Sequence, residues 1–176
     1  RCLKVLFHIN SMIAGENIQL RAVEPQDLLQ LLHWENSPDF FKYSEVHIPY
    51  SKALMEEYIE RASEDFYSAK QLRLILCLKE NEKAIGHLDL FDFNPKHARA
   101  GVSILLNAGF RGKGFAKEAL QLIKTYAREQ WLMHQLYCNI RLWNRESIAL
   151  FESVGFVQIG VLKDWAKTRE GFEDEC

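Results

Sequence analysis

Hydrophobic and polar residues alternate over residues 17–23, with Ile18, Leu20 and Ala22 on one side, and this period of two predicts a half-buried strand. The period then changes. Pro25 suits the first position of a helix, and Leu28, Leu29, Leu31, Leu32 and Trp34 carry an apolar stripe to about Glu35. Between Trp34 and Tyr50, the aromatics Phe40, Phe41, Tyr43 and Tyr50 stand among Ser, Pro and Asp, whose turn chemistry excludes a long regular element. Ser51 caps a second helix reaching about Ser63, with Leu54, Tyr58, Ile59 and Ala62 on one side. Residues 71–79 and 84–93 predict a hairpin turning at residues 80–83. Asn94 and Pro95 break the chain, and residues 99–106 form a further strand, antiparallel because its connection is short. Beyond it, Ala116, Ala119, Leu120, Ile123, Tyr126 and Ala127 recur with a helical period. Residues 136–142 predict a strand and residues 145–154 a helix, and no internal repeat is present.

The 176 residues suit one compact domain. A composition of 48% hydrophobic and 26% charged residues is that of a globular chain. A net charge of -2 and a pI of about 6.3 make the whole-molecule field too weak for nucleic-acid or anionic-membrane binding, so any basic site must be local. Cys2, Cys77, Cys138 and Cys176 form neither a C-x-x-C pair nor a disulfide framework, which points to reduced thiols in a cytoplasmic protein. The longest uncharged stretch, residues 101–110, falls far short of the roughly 20 apolar residues that span a bilayer. Arg1, Lys4 and the apolar cluster over residues 5–9 fit a signal peptide poorly, because the cluster is short and His8 and Asn10 interrupt it. Met12 directly precedes the first strand-like segment, so residues 1–11 are expected to be an extension outside a domain of residues 12–176.

The candidate chemistry follows the strand over residues 99–106. Arg111, Gly112, Lys113, Gly114, Phe115 and Ala116 join that strand to a helix. Strand, glycine turn and helix hold a diphosphate well, because unpaired amides at a helix start converge on the anion and glycine lets the backbone approach closely. A P-loop requires Ser or Thr after Gly-Lys, but Gly114 follows Lys113; a dinucleotide fingerprint requires a third glycine, but Lys117 stands there. Taken alone, the glycines fit a turn without a ligand equally well.

The following segment decides between them. Arg111-x-x-Gly114-x-Ala116, followed by Asn144-x-x-Ser147-x-x-Leu150-Phe151-x-x-x-Gly155-Phe156, resembles the two acetyl-CoA motifs of the GNAT N-acetyltransferase superfamily. Residues 94–100 and 160–164 look like its spermidine/diamine and ribosomal-protein (RimJ/RimL-like) branch. The resemblance implies an α/β domain of the α+β type: a mixed, largely antiparallel central sheet flanked by helices, splayed between its fourth and fifth strands. It also implies acetyl-CoA as cosubstrate and no metal. Ile104, Leu105 and Leu106 would pair with pantetheine, the amides of Gly112, Lys113, Gly114, Phe115 and Ala116 would hold the pyrophosphate with Arg111 beside it, and Asn144 would contact the pantetheine arm. Asn144 is equally a good helix N-cap, and Lys113 and Lys117 equally solvated charges.

The implied reaction is attack of a primary amine on the thioester through a tetrahedral intermediate, without a covalent acetyl-enzyme. An alkylammonium with pKa near 10.4 is only about 0.04% neutral at pH 7, a cost of roughly 4.6 kcal/mol, so a base is expected. The leaving thiolate, by analogy with a thiol near 8.5, gains only about 2 kcal/mol from an acid. Many family members carry Tyr as that acid where this chain has Phe151, and Ser147, one turn earlier, is the expected substitute. Relatives also often carry Glu where this chain has Gly101. The base must then come from elsewhere, and Asp89, Asp92 and Glu45 are the candidates. Acceptor specificity is expected in the aromatic loop, with Tyr43 and Glu45 binding substrate. Glu56, Glu60 and Glu64 recur on one helix face, which suits a polycation or a solvated surface alike.

These readings favour a polyamine or diamine acceptor. The alternatives are a ribosomal-protein or peptide amine, and a catalytically weak acyl-CoA-binding domain. Residues 171–176 look like the opening of a last strand cut short, and an edge left open in this way favours pairing with a second copy as a homo-oligomer.

Overall fold

The computed structural model describes residues 13–38, 49–62, 66–168 and 170–176. Strands β1 (Ile13–Ala14) and β2 (Ile18–Ala22) form a hairpin closed by the Gly15 amide donating to the Ile18 carbonyl at 2.9 Å. One 3-10 turn at Pro25–Asp27 leads into α1 (Leu28–Glu35). Helix α2 (Lys52–Arg61) starts where Ser51 Oγ accepts from the Leu54 amide at 3.2 Å, as its cap residue predicts. A short α3 (Phe66–Ala69), which the sequence pattern did not predict, precedes β3 (Leu72–Leu78), β4 (Ala84–Asn94) and β5 (Arg99–Leu106). Then come α4 (Phe115–Glu129), β6 (Gln135–Tyr137), α5 (Arg145–Ser153), β7 (Leu162–Lys167) and β8 (Phe172–Glu175).

Strands β1 to β6 form one sheet in chain order, antiparallel except for the parallel β5/β6 pair. Alternation along β3 and β4 sends two sets of side chains to opposite faces. One face buries Leu74, Leu76, Leu88 and Leu90 against Ala119, Leu120 and Ile123 of α4 and Phe151 of α5. The other packs Ile75 and Cys77 against Leu31 and Trp34 of α1 and Met55 of α2. Each fully buried Leu or Ile contributes roughly 1.5–3 kcal/mol, which makes these two layers the main source of stability.

β4 pairs with β5 as far as Leu106, whereas β6 pairs only with Arg99–Gly101. From Val102 onward β5 and β6 therefore diverge. This is the splay expected between the fourth and fifth strands, displaced by one in the count because β1 was not predicted. The predicted strand over residues 136–142 is also corrected. Its alternation is real but serves two partners: Gln135–Tyr137 joins β5, whereas Ile140 and Cys176 exchange amide hydrogen bonds at 2.9 Å and Arg141 bridges Glu175.

Gly86 fixes the β4/β5 approach beside the splay. A Cβ there would lie 2.1 Å from the Leu105 carbonyl oxygen and 3.0 Å from Leu106 Cα. Backbone cannot yield as a side chain does, so Gly86→Ala is expected to lower stability by about 1–3 kcal/mol. A fall in the urea midpoint without a change in m checks it.

Candidate active site

The end of β5, a 3-10 turn at Ala108–Phe110 and the start of α4 form the glycine turn. Gly112 and Gly114 have φ of 72° and 85°, a left-handed conformation that glycine adopts without a Cβ penalty. A Cβ at either would meet nothing within 4 Å, so backbone conformation selects glycine and the space over the turn is open. Gly114 is the N-cap of α4 and offers no side-chain cap. The first-turn amides of α4 and the positive end of its dipole thus face that space, as an anion site requires. Arg111 Nε donates to the Leu106 carbonyl at 3.0 Å and ties the turn to the strand.

A cleft of about 730 Å³ runs from this turn into the splay. It brings together Ile104, Leu105 and Leu106 of β5, then Arg111, Gly112, Gly114, Phe115 and Ala116 of the turn, and Asn144 and Ser147 at the start of α5. Sequence reasoning gave no cleft role to Phe110, Glu146 or Leu150, which also line it. Lys113 is not in the lining; its ammonium lies over the Phe110 ring, 5.3 Å from the centroid. Lys117, read as a solvated charge or a ligand contact, does line the cleft. Asn144 caps α5, its Oδ1 accepting from the Ser147 amide at 3.2 Å, and the residue also lines the cleft. Phe151 is only 4% exposed and packs edge-on against Phe156 at 5.0 Å, in the core rather than in the cleft wall.

On the α1/α2 face, cross-strand register lines up Arg73, Asp89 and Ser103. Arg73 Nε donates to Asp89 Oδ1 at 2.7 Å and Nη2 to Oδ2 at 2.9 Å, and Nη1 reaches Glu35 Oε1 at the end of α1. The guanidinium also lies 5.3 Å from the Tyr58 ring centroid, and burial pushes the Tyr58 hydroxyl up to about 12. His87 Nδ1 stands 3.3 Å from Asp89 Oδ2. Burial alone would raise the Asp89 pKa, but Arg73 and then His87 outweigh it and hold the carboxyl well below its usual range. A carboxylate so held accepts a proton poorly, which counts against Asp89 as the base. Asp92 is exposed at the β4 irregularity, and Tyr137 Oη donates to it at 3.4 Å.

Glu45 and Tyr43 lie outside the described residues, as do Glu64 and the rest of the aromatic segment at 39–48. The segment's two ends meet, because Asn36 Oδ1 accepts from the Tyr50 amide at 2.8 Å and its Nδ2 donates to the Tyr50 carbonyl at 3.0 Å. Glu56 pairs with Lys52 and Glu57 with Arg61 on the exposed surface of α2, the behaviour of a solvated helix face. At Gly101 the space is taken by Phe91, whose ring would lie 2.2 Å from an added Cβ, so an acidic side chain has no room there. Arg73 was missed in the sequence. Its signal was a charged residue on the inward side of an otherwise apolar strand, in register with Ile75 and Cys77.

An anion cradle opening on a strand edge that is unpaired among the described residues suits a ligand with a diphosphate at one end and an extended, amide-bearing chain at the other. The acetyltransferase (GNAT) domain family matches residues 17–157, and the chain belongs to that family. It is 25% identical over 160 residues to the SPbeta prophage-derived uncharacterized N-acetyltransferase YokL of Bacillus subtilis (strain 168), covering 91% of this chain and 87% of that protein. It is also 25% identical over 148 residues to the spermidine N(1)-acetyltransferase of Vibrio cholerae serotype O1, covering 84% and 83%. Among solved structures, spermidine N-acetyltransferase from Vibrio cholerae in complex with CoA and spermine has the same fold, with a TM-score of 0.80 at 24% identity over 90% of this chain and 92% of that one. GNAT acetyltransferases use acetyl-CoA, and the donor set of the turn fits it: main-chain amides for the diphosphate and a free strand edge for the pantetheine amides. Among the described residues no helix is long and apolar enough to cross a membrane.

Proposed function

We propose that this GNAT acetyltransferase acetylates a primary amine on a small cationic molecule, with a polyamine or diamine as the acceptor class. The observation that carries the reading is the Glu35–Arg73–Asp89 group: two carboxylates share one guanidinium on the face that Leu105 links to the cleft. The excess negative charge, partly withdrawn from water, favours an ammonium over a neutral or acidic acceptor. The spermidine N(1)-acetyltransferase relative supports the same acceptor class.

Acetyl-CoA supplies an activated thioester when bound. The amides of Gly112–Ala116 hold its diphosphate, with Arg111 beside them, and the free edge at Ile104, Leu105 and Leu106 orients its chain. Glu35 and Asp89 attract and orient the ammonium, Asp89 as a fixed charge rather than a proton acceptor, and the ammonium gives its proton to water in the cleft before the neutral amine attacks the thioester carbonyl. Ser147 lines the cleft and is the hydroxyl that serves the departing sulfur. Turnover depends little on that acid, because a thiolate is a tolerable leaving group near neutral pH.

Phe151→Tyr is therefore expected to leave kcat unchanged or lower it, since the new hydroxyl is buried beside Phe156. A gain of about a hundredfold or more in kcat would mean that a missing acid limits the rate. The acceptor class is tested by following thiol release from acetyl-CoA with spermidine, putrescine and an N-terminal peptide. Release with the first two supports the reading, and release with the peptide alone overturns it.

A further inference from the structure

The free stretch of β5 carries a hydroxyl that the reaction has not yet used. β6 pairs with β5 only as far as Gly101, so Ser103 lies where that edge is unpaired among the described residues. Side chains alternate along a strand, which puts Ser103 on the face of Leu105, two residues on. Leu105 both lines the cleft and packs against the α1/α2 layer. Across the sheet Ser103 stands directly opposite Asp89, and Asp89 directly opposite Arg73. Exposure rises along this row toward the splay: 15% for the Arg73 side chain, 22% for Asp89, and Ser103 is exposed. A ligand therefore reaches the Asp89 carboxylate from the Ser103 side.

Both ends of the Asp89/Ser103 rung can still accept a hydrogen bond. An ionised carboxylate offers about four lone-pair positions. Arg73 takes one on each oxygen and His87 Nδ1 stands beside Oδ2, so Oδ1 keeps a position open. Ser103 Oγ has no hydrogen-bond partner among the described residues. Directly opposed residues hold their Cβ atoms about 4.5–5.5 Å apart, so one nitrogen seated over the rung reaches both oxygens at about 3 Å. A neutral primary amine has two N–H groups, one carbon substituent and one lone pair. With one N–H given to Asp89 and the other to Ser103, the lone pair is left for the thioester carbonyl. A secondary amine has a single N–H and leaves one of the two oxygens without its bond.

We infer that Ser103 contacts the acceptor nitrogen and, together with Asp89, selects primary over secondary amines. The inference rests on the amine-acceptor reading of the site and adds the residue that sets which amines react. Ser103 takes no proton, because the ammonium has already lost it to water when the neutral amine is seated.

Thiol release at saturating acetyl-CoA, with putrescine and with N,N′-dimethylputrescine, whose nitrogens are both secondary, tests it. Wild type is expected to show a kcat/KM at least about tenfold higher for putrescine. Ser103→Ala is expected to lower kcat/KM for putrescine about tenfold while changing that for N,N′-dimethylputrescine less than about threefold. Ser103→Thr keeps the hydroxyl on an exposed strand position and is expected to restore putrescine turnover to within about threefold of wild type. Calorimetry should find the same coenzyme A affinity in all three proteins. Equal wild-type kcat/KM for the two acceptors, or a Ser103→Ala loss that both acceptors share or that Ser103→Thr does not recover, overturns the role of Ser103 and leaves the acceptor reading intact. No release with putrescine from a wild type that binds coenzyme A overturns the acceptor reading itself.

Discussion

Gly114→Val is expected to cut coenzyme A affinity by about a hundredfold or more while leaving the chain folded. Gly114 has φ of 85°, and a branched residue in that left-handed conformation costs roughly 1–2 kcal/mol, a modest part of a typical domain's 5–15. Nothing lies within 4 Å of the added Cβ, so the fold meets no clash. The ligand does, because the side chain projects into the open space over the amides. Relaxing the strain would also turn those amides away from the anion. Calorimetry for affinity and a thermal melt for integrity separate the two effects. A variant that melts within a few degrees of wild type and still binds with unchanged affinity would show that the turn does not hold the diphosphate.

The second large effect is on stability. Arg73→Leu leaves Glu35 and Asp89 facing each other without their shared guanidinium, at 13% and 22% side-chain exposure. Breaking a buried pair from one side costs about 3–5 kcal/mol, because the remaining charge is uncompensated. The pH dependence should shift as well. In wild type, the folded-state pKa of Asp89 is depressed, so its contribution is fully present above the unfolded value near 3.9 and is lost as pH falls through the lower folded value. Without Arg73, burial is opposed mainly by the His87 imidazole beside Asp89, so the carboxyl rises relative to wild type and the variant's stability at pH 5 relative to pH 8 should exceed the wild-type difference. Urea unfolding at both pH values checks the sign, and adding Asp89→Asn to Arg73→Leu should recover part of the loss. A loss below about 1 kcal/mol, with no recovery in the double variant, would show that the group is not an energetic unit.

The sequence revealed those parts of the molecule whose chemistry is local. The alternation around Ile18 and Leu20, the Ser51 cap and the Arg111 to Ala116 turn each declare themselves within a few residues, and the structure bears out the strand, the cap and the strand-turn-helix order. Features that depend on distant partners were less legible. Residues 136–142 alternate continuously, yet the switch from β5 to the C-terminal segment is set by Cys176 and Glu175, far along the chain. The neutralisation of Asp89 depends on Arg73 across a strand pair, and no spacing rule within residues 84–93 announces it. Gly101 looked like a missing acid, whereas its lack of a side chain makes room for Phe91. Phe151 occupies a position where relatives often keep a proton donor, but here its burial against Phe156 makes it a core residue.

Amide-resolved NMR during a titration with coenzyme A tests most directly whether main-chain amides at the start of α4 grip a diphosphate while β5 takes the ligand's extended arm. The largest saturable shifts are predicted at the amides of Gly112, Lys113, Gly114, Phe115 and Ala116, with a second group at Ile104, Leu105 and Leu106. Saturable binding whose shifts bypass both segments, or no binding at all, would contradict the account.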